Sequence, residues 1–519
     1  MTKMKKGLVI MAASFCLMLA SVPAKAQVTQ QVEVSFEEGK SIGKQIQKAL
    51  DTALEDQTGE VLYEISMPEG TYELDTLLKV YSYTTIKMNG CMLMRGADKS
   101  MVRLGQEEET YSGYEGYHDI RIEGGTFNGN GKDGKCDVSM IRLGHGSNIV
   151  FQDMVFENVY EGHHVELAGC ENVSFLQCTF RDFYGKGDTS NTANNEALQF
   201  DVLHNKVHFP KYPGFDDTPC RNITVDSCVF YNLQRGLGTH SAVAGSYFTN
   251  IQFTNNTFHD IKGYAMIATN FKDSVIRDNK IDRCGAGILF RSMVQGHNNF
   301  YTPLSGGVSI DNNASSVIEN NQIQVSDYKY KTTAYGISLY GEKLTAKKKD
   351  VPKGDYTLKG VKVKNNTITM NNSGYGIWLQ GANECEISGN SVTMDVKASA
   401  SGGGNSDCIR LVKSAKNKLN KNKLTQKKKN KKTQDACGIV VTTNSSATIE
   451  KNQIKNSPKD GIFVVTSSKA TVTGNTIKKT GRYGLNVCVK STVTSKKNKM
   501  TKCGKRPTNV YDRSKIKTK

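Results

Sequence analysis

The 519-residue sequence predicts an all-β solenoid closed at its amino end by a helix. Three observations predict it. The first is a short phrase that recurs down the chain, an Asn, a variable residue and an apolar residue. It reads Asn256-Thr257-Phe258, Asn279-Lys280-Ile281, Asn321-Gln322-Ile323, Asn366-Thr367-Ile368, Asn390-Ser391-Val392, Asn422-Lys423-Leu424, Asn452-Gln453-Ile454, Asn475-Thr476-Ile477 and Asn498-Lys499-Met500. Its shortest spacing is 23 residues, and longer spacings place loops between turns. The second is a Gly followed by alternating apolar residues, as in Gly287-Ile288-Leu289-Phe290, Gly336-Ile337-Ser338-Leu339, Gly376-Ile377-Trp378-Leu379 and Gly461-Ile462-Phe463-Val464. Alternation marks a half-buried strand. The third is composition: 48 Gly, 9 Pro and 37% hydrophobic residues exclude collagen, coiled coil and a membrane-spanning class.

The elements follow in chain order. Lys3, Lys5 and Lys6 precede the apolar run from Leu8 to Ala20, and Pro23-Ala24-Lys25-Ala26 carries a small-residue cleavage site. Residues 1–26 therefore read as a secretory signal peptide, which implies a secreted, extracellular chain. The run is too short to span a bilayer, and no other stretch is suited to it. Residues 27–60 hold a first strand and the capping helix. Ile42, Ile46, Ala49, Leu50 and Leu54 fall at helical spacing between Ser41 and Leu54. Residues 61–505 form the solenoid, and 506–519 a basic tail.

Charge divides the solenoid in two. From Gly341 onward there are 38 basic and 11 acidic residues, a balance of +27, whereas the preceding chain sums to −9. Residues 61–340 are thus the acidic, loop-decorated part and 341–505 the basic, regular part.

The fixed Asn suits a left-handed bend and can hydrogen-bond to the Asn of the next turn, so a stacked column is expected. In earlier turns Cys178 and Cys228 take the same place, with Cys170 and Cys220 at a matching one. Twelve of the 13 Cys follow the signal segment. Stacked buried thiols and disulfides are the two readings of them. The absence of a CxxC pair argues against a zinc site.

Met67-Pro68-Glu69-Gly70-Thr71-Tyr72, followed by strands, and then Ile122-Glu123-Gly124-Gly125-Thr126-Phe127-Asn128-Gly129-Asn130-Gly131 resemble the entry to pectin-lyase-like right-handed parallel β-helices. The second phrase is most similar to the polygalacturonase-type glycoside hydrolases. The resemblance covers roughly residues 30 to 505 and implies a right-handed parallel β-helix. This fold hosts hydrolases, lyases, epimerases, phage tailspikes and adhesins, so function has to be argued from a site.

Aligning the strands puts Val165, Leu198, Leu237, Met266 and Ile288 inward at one level. The period of two then generates one outward column, Glu166, Gln199, Gly238, Ile267, Leu289, Ser338 and Trp378, and a second, Ala168, Asp201, His240, Thr269, Arg291, Tyr340 and Gln380. His164 is expected on the same face as Glu166. Glu166 and Asp201 lie on adjacent turns, offset diagonally by about 7–8 Å. Inverting glycosidases hold their carboxyls about 6.5–9.5 Å apart, one to protonate the leaving oxygen and one to activate water. Asp201 and His240 are expected to touch. The reading is a glycoside hydrolase cleaving polysaccharide through Glu166 and Asp201, with His240 tuning Asp201. His164, Gln199, Asp217, Arg291, Tyr340 and Trp378 are the substrate-binding candidates.

Polygalacturonase-type hydrolases show a similar order of carboxylates, His and Arg. Their Asn-Thr-Asp, Asp-Asp, Gly-His-Gly and Arg-Ile-Lys motifs are replaced here by Val165-Glu166-Leu167, Phe200-Asp201, Thr239-His240-Ser241 and Phe290-Arg291-Ser292. Gly144-His145-Gly146 matches one motif but precedes the carboxylates and reads as a turn. Insertions at Tyr184 to Asn195, Val202 to Pro219 and Ser292 to Gly307 flank these strands. The second carries His204, His208, Tyr212, Asp216 and Asp217, candidates to wall a sugar groove. Glu196 beside Arg235 reads as a structural ion pair.

Two other readings compete. A polysaccharide lyase would use Arg291 as base, with Ca²⁺ as its cofactor, but no dense carboxylate cluster is present. The hydrolase reading needs no cofactor and no metal. The third reading is a non-catalytic glycan-binding or adhesion solenoid. Lys runs at Ala346 to Asp350 and Lys427 to Lys432 make anionic cell-wall polymers a second partner class for the basic third. Nucleic acid is not expected, because aromatic residues are not interleaved with the basic runs.

Overall fold

The computed structural model describes residues 28–134, 136–185, 195–294, 299–326, 333–345, 351–427 and 429–518. The signal segment, most of the 184–195 insertion and the 346–350 Lys run lie outside the described residues. The chain winds as a parallel β-helix with a triangular section. Successive turns contribute strands to three long sheets, of 19, 15 and 15 strands among the described residues. In the first complete turn these strands are Val61–Ser66, Gly70–Leu74 and Leu78–Val80, and they are taken below as members of the first, second and third sheets.

The Asn column is the most regular feature. Oδ1 of Asn452 accepts from both the backbone N–H and the side-chain amide of Asn422, each at 2.9 Å. Its own Nδ2 donates to Asn475 Oδ1 at 3.0 Å and to the Leu419 carbonyl at 2.9 Å. The same pattern links Asn256 to Asn279, Asn321, Asn366 and Asn390. The left-handed residue is not the ladder Asn but the one before it: Asp278, Asn365, Lys421 and Lys451 have φ between 55° and 57°. The preceding residue makes the bend, and the ladder Asn then points inward to satisfy the corner. Where the column becomes Cys, the Cys178 N–H approaches Cys228 Sγ at 3.3 Å. Among the described residues all twelve cysteines are free thiols, so the disulfide alternative does not describe this structure. Burial raises the Cys220 thiol well above its ordinary range, which keeps it protonated and inert.

Aromatic residues stack along the axis for the same reason. The rings of Phe156, Phe180, Phe230 and Phe258 succeed one another at 4.8, 4.7 and 4.7 Å. Parallel strands in register place like side chains directly above one another. Gly336 belongs to the Gly-led strand phrase because a Cβ there would lie 2.5 Å from the Gly376 carbonyl oxygen.

At the amino end the helix spans Ile42–Leu54, and its Ser41 N-cap accepts from the Lys44 N–H at 3.2 Å. Ile46, Ala49, Leu50 and Ala53 are buried against the first turn, which closes the open end of the core. Leu54, expected on that face, is exposed, because the helix ends there and Ala53 takes the inner place. The carboxyl end also departs from expectation. The strands Arg506–Val510 and Lys515–Thr518 continue the third and first sheets past residue 505. The expected tail is therefore a further turn, held by backbone pairing and by Ile516, which packs against the core.

The ladder gives a direct test. Asn452→Ala leaves buried partners unsatisfied on both sides and should cost about 1–3 kcal/mol in urea unfolding. Gln453→Ala, one residue on and exposed, should stay within about 0.5 kcal/mol.

Candidate functional site

The outward face of the third sheet holds the candidate residues. Observed register pairs Glu166 with Gln199 and Ala168 with Asp201, then Gln199 with Gly238, Ile267 with Leu289, and Ser338 with Trp378. Arg291 pairs with Thr269 and Tyr340. These are the neighbours expected from a period of two.

The carboxylates are not open to solvent. Glu166 is buried, and Arg142, aligned with it on the preceding turn, donates from Nε at 2.6 Å. Burial opposes its ionisation, but Arg142 and His163 outweigh burial and hold its pKa below the usual carboxylate range. Asp201 is also buried, and its Oδ1 accepts from the Val202 N–H at 2.7 Å and from the Ser241 hydroxyl. Burial raises its pKa, with Glu166 adding to the rise. The two acids are therefore driven apart, as acid and base partners must be.

His240 hydrogen-bonds from Nδ1 to Glu196 Oε2 at 2.8 Å, not to Asp201 as expected. The strand before it ends at Gly238, which has a φ of 139° and where a Cβ would lie only 1.9 Å from the Ile267 carbonyl oxygen. The chain bends there, so the alternation no longer aims His240 at its register neighbour. Glu196 is fully buried and also accepts from Arg235 at 3.0 Å. Burial opposes its charge, and His240 and Arg235 prevail, so its pKa is held well below the usual range. His163 Nδ1 meets the Glu196 carbonyl at 2.6 Å.

His164 departs from expectation too. It packs edge-on against Phe180, and its Nε2 meets the Arg181 carbonyl at 2.8 Å. Its strand begins at Val165, so the alternation does not extend back to residue 164. Burial lowers its pKa to about 4, leaving it neutral. Gln199 is fully buried with neither amide atom bonded.

Two insertions form the roof. Leu203, Phe209 and Tyr212 pack on Ala168, and Tyr212 Oη donates to the Arg142 carbonyl at 2.7 Å. Phe300–Tyr301 pairs with Ala242–Val243, and Phe300 lies 5.3 Å from the Arg291 guanidinium. Arg291 donates from Nε to Thr269 Oγ1 at 2.9 Å, and burial, with Arg235 nearby, lowers its pKa to about 10. Asp217 joins the two insertions, bonded to His204 Nδ1 at 2.5 Å and to the Leu304 N–H at 2.6 Å. Tyr301 stacks on the His204 ring at 4.3 Å and bonds His208. His145 of the Gly-His-Gly phrase is a turn residue with φ of 56°, held by the Gly113 and Gly214 carbonyls. Among the described residues no group of three or more His, Cys, Asp or Glu is placed to hold a metal ion.

Beyond the roof the same face becomes aromatic. Trp378 is half-buried, with its ring centroid 4.7 Å from Tyr335 and 4.9 Å from Tyr375. Its indole Nε1 is buried without a hydrogen-bond partner. Tyr335 and Tyr375 are register neighbours, stacked at 6.0 Å. Tyr340 and Tyr335 also pack against Tyr264, Ile267 and Leu289, which extends the apolar strip towards the roof. Arg410 lies 5.6 Å from the Tyr375 ring and is paired with Asp407 at 2.7 Å. The sequence reading found Tyr340 and Trp378 but missed Tyr335, Tyr375, Arg142 and His163. A signal for the first two was present: both precede the Gly of the repeated strand phrase.

A stack of this kind defines a class. A family model described as the right handed beta helix region matches residues 191–347 and 353–519, more than half of the chain, and the protein belongs to that family. Its likenesses within the class are specific. It is 24% identical over 323 residues to plasmin and fibronectin-binding protein A of Streptococcus pneumoniae, a match covering 55% of this chain and 43% of that one. The match thus spans less than half of the relative's length. The crystal structure of PfbA, a surface adhesin of the same species, superposes with a TM-score of 0.51 at 16% identity, covering 90% of this chain and 91% of that one. The tailspike protein of Escherichia coli bacteriophage HK620, in complex with a pentasaccharide, gives a TM-score of 0.57 at 11% identity, covering 94% of this chain and 80% of that one. At these identities both structures speak to the fold. No helix among the described residues is long and apolar enough to cross a membrane.

The opposite pKa directions predict opposite responses. Glu196 is depressed in the fold, so its stabilisation is present above the ordinary carboxyl range and is lost as pH falls through its folded value. Glu196→Gln should therefore lower stability at neutral pH, by about 3–5 kcal/mol, and flatten the acid limb of the Tm profile. Asp201 is raised, so its penalty grows as pH rises from its unfolded to its folded value. Asp201→Asn keeps an acceptor for Val202 and Ser241, and should leave Tm at neutral pH unchanged or higher.

Proposed function

We propose that this is an exported, non-catalytic binding solenoid that holds glycan on the aromatic strip of its third sheet. The observation that carries the reading is the Tyr335–Tyr375–Trp378 group, a cluster of rings on this face in which Tyr335 and Trp378 are half-buried and Tyr375 is buried behind them. Sugars present C–H faces that pack on aromatic rings. Tyr and Trp suit such half-wet surfaces because one end is apolar and the other polar. The carboxylates support the reading from the other side. Glu166, Glu196 and Asp201 are sealed beneath two insertions and satisfied internally, an arrangement that builds a fold rather than receives a polymer. Likeness to a plasmin and fibronectin-binding protein and to a surface adhesin favours binding, and an adhesin works outside the cell, as a signal peptide requires.

One observation favours a second reading, hydrolysis. The pKa values of Glu166 and Asp201 move in opposite directions, as an acid–base pair needs. A single panel of neutral and acidic polysaccharides separates the two. On the binding reading, Trp378→Ala weakens glycan affinity at least about tenfold, ~1.4 kcal/mol, whereas Asp201→Asn binds like the wild type. No new reducing ends appear. Reducing ends that vanish in Asp201→Asn would establish hydrolysis and overturn the binding reading.

A further inference from the structure

The basic third presents a second surface, on the second sheet. Its strands Lys423–Gln426, Gln453–Lys455, Thr476–Thr480 and Lys499–Cys503 lie side by side in parallel register. Leu424, Ile454 and Ile477 fill the core from the inner face. The outer face carries an exposed lysine in every turn, Lys423, Lys455, Lys478 and Lys499. None of these four strands contains an Asp or Glu. Exposed Lys451 and Lys497 line one corner of the face. Among the described residues, the lysine ion pairs nearby join Lys416 to Glu384, Lys427 to Asp395 and Lys459 to Asp435, and none involves the six lysines of this face.

The pattern is local. In the two preceding turns the same positions hold Thr367 and Thr369, then Ser391 and Thr393. Lys455 and Lys478 stand directly opposite one another, an arrangement that destabilises a sheet. Turns repeat every ~4.8 Å, so the four turns place their charges along about 14 Å of the axis. Lysine is a compact point charge, suited to sulfate, phosphate or carboxylate groups without a fixed fork geometry. The four strands contain no aromatic residue on which bases would stack, which disfavours single-stranded nucleic acid. Lys427, Lys429, Lys431 and Lys432 lie outside these strands.

We propose that this lysine face binds an unbranched anionic polysaccharide lying along the solenoid axis. The site is separate from the aromatic strip, and the test keeps the two apart. Mature protein is titrated with a fluorescent heparin oligosaccharide, read by anisotropy over a range of NaCl concentrations. Lys455→Gln/Lys478→Gln should weaken binding at least about tenfold and reduce the salt dependence. Its Tm should hold or rise, because two opposed charges are removed. Lys429→Gln/Lys431→Gln makes the same change in net charge on the loop and should stay within about twofold. Trp378→Ala should bind heparin like the wild type, even if it loses the glycans of the other face. Equal loss in the two lysine pairs would reduce the effect to net charge and overturn the proposal. So would equal or tighter binding to duplex DNA or to phosphatidylserine vesicles, or loss of heparin binding in Trp378→Ala.

Discussion

Each ladder asparagine short of the last, Asn498, has its hydrogen bonds completed by the turns on either side of it. Asn366 donates to Asn390 in one direction and to the Ile318 carbonyl in the other. The rest of the molecule depends on this constraint. A single turn has too little inner face to bury itself, and its corner amides would be left unpaired in an apolar interior. Stacking in strict parallel register solves both problems at once. It also makes every column of the surface a repeat of one position in the sequence.

Register is what turns one surface into three different ones. On the third sheet it brings Arg142 onto Glu166 and Arg235 onto Glu196, so each acid is neutralised by the turn beside it. Further along the same sheet it stacks Tyr335 on Tyr375 with Trp378 beside them. On the second sheet it lines up lysines with nothing to oppose them. The net charge of +18 is therefore distributed as a buried, compensated centre in one part and an exposed, uncompensated face in another.

The two insertions decide what the acidic centre can do. Residues 202–219 and 299–310 depart from the repeat and bring their own apolar anchors, Phe209 and Tyr212 in one and Phe300 in the other. Asp217 ties them together. A polar column that would otherwise face water becomes an interior, where a carboxylate is tolerated because it is paired. The unbonded amide of Gln199 is the exception within it.

Much of the fold was legible in the sequence because periodicity is a local property. The spacing of Asn-x-apolar, the Gly-led strands and the Ser41-capped helix each depend on residues close in the chain, and the inward column from Val165 to Ile288 follows from the period of two. The candidate site was legible in part, as far as which residues share a face. Of the partners, the Glu196–Arg235 pair was legible and is present, whereas Glu196–His240 was not, because the two are 44 residues apart and meet only beyond the strand end at Gly238. His164 turned inward for a similar reason, since alternation holds within a strand and lapses at its start. The roof was not legible at all as a roof, for an insertion's length says nothing about where it folds back. By itself the sequence determined the solenoid, its register and the sign of charge along it. Only the tertiary structure decided which charges are compensated and which faces stay open, because both depend on contacts between turns and loops distant in the chain.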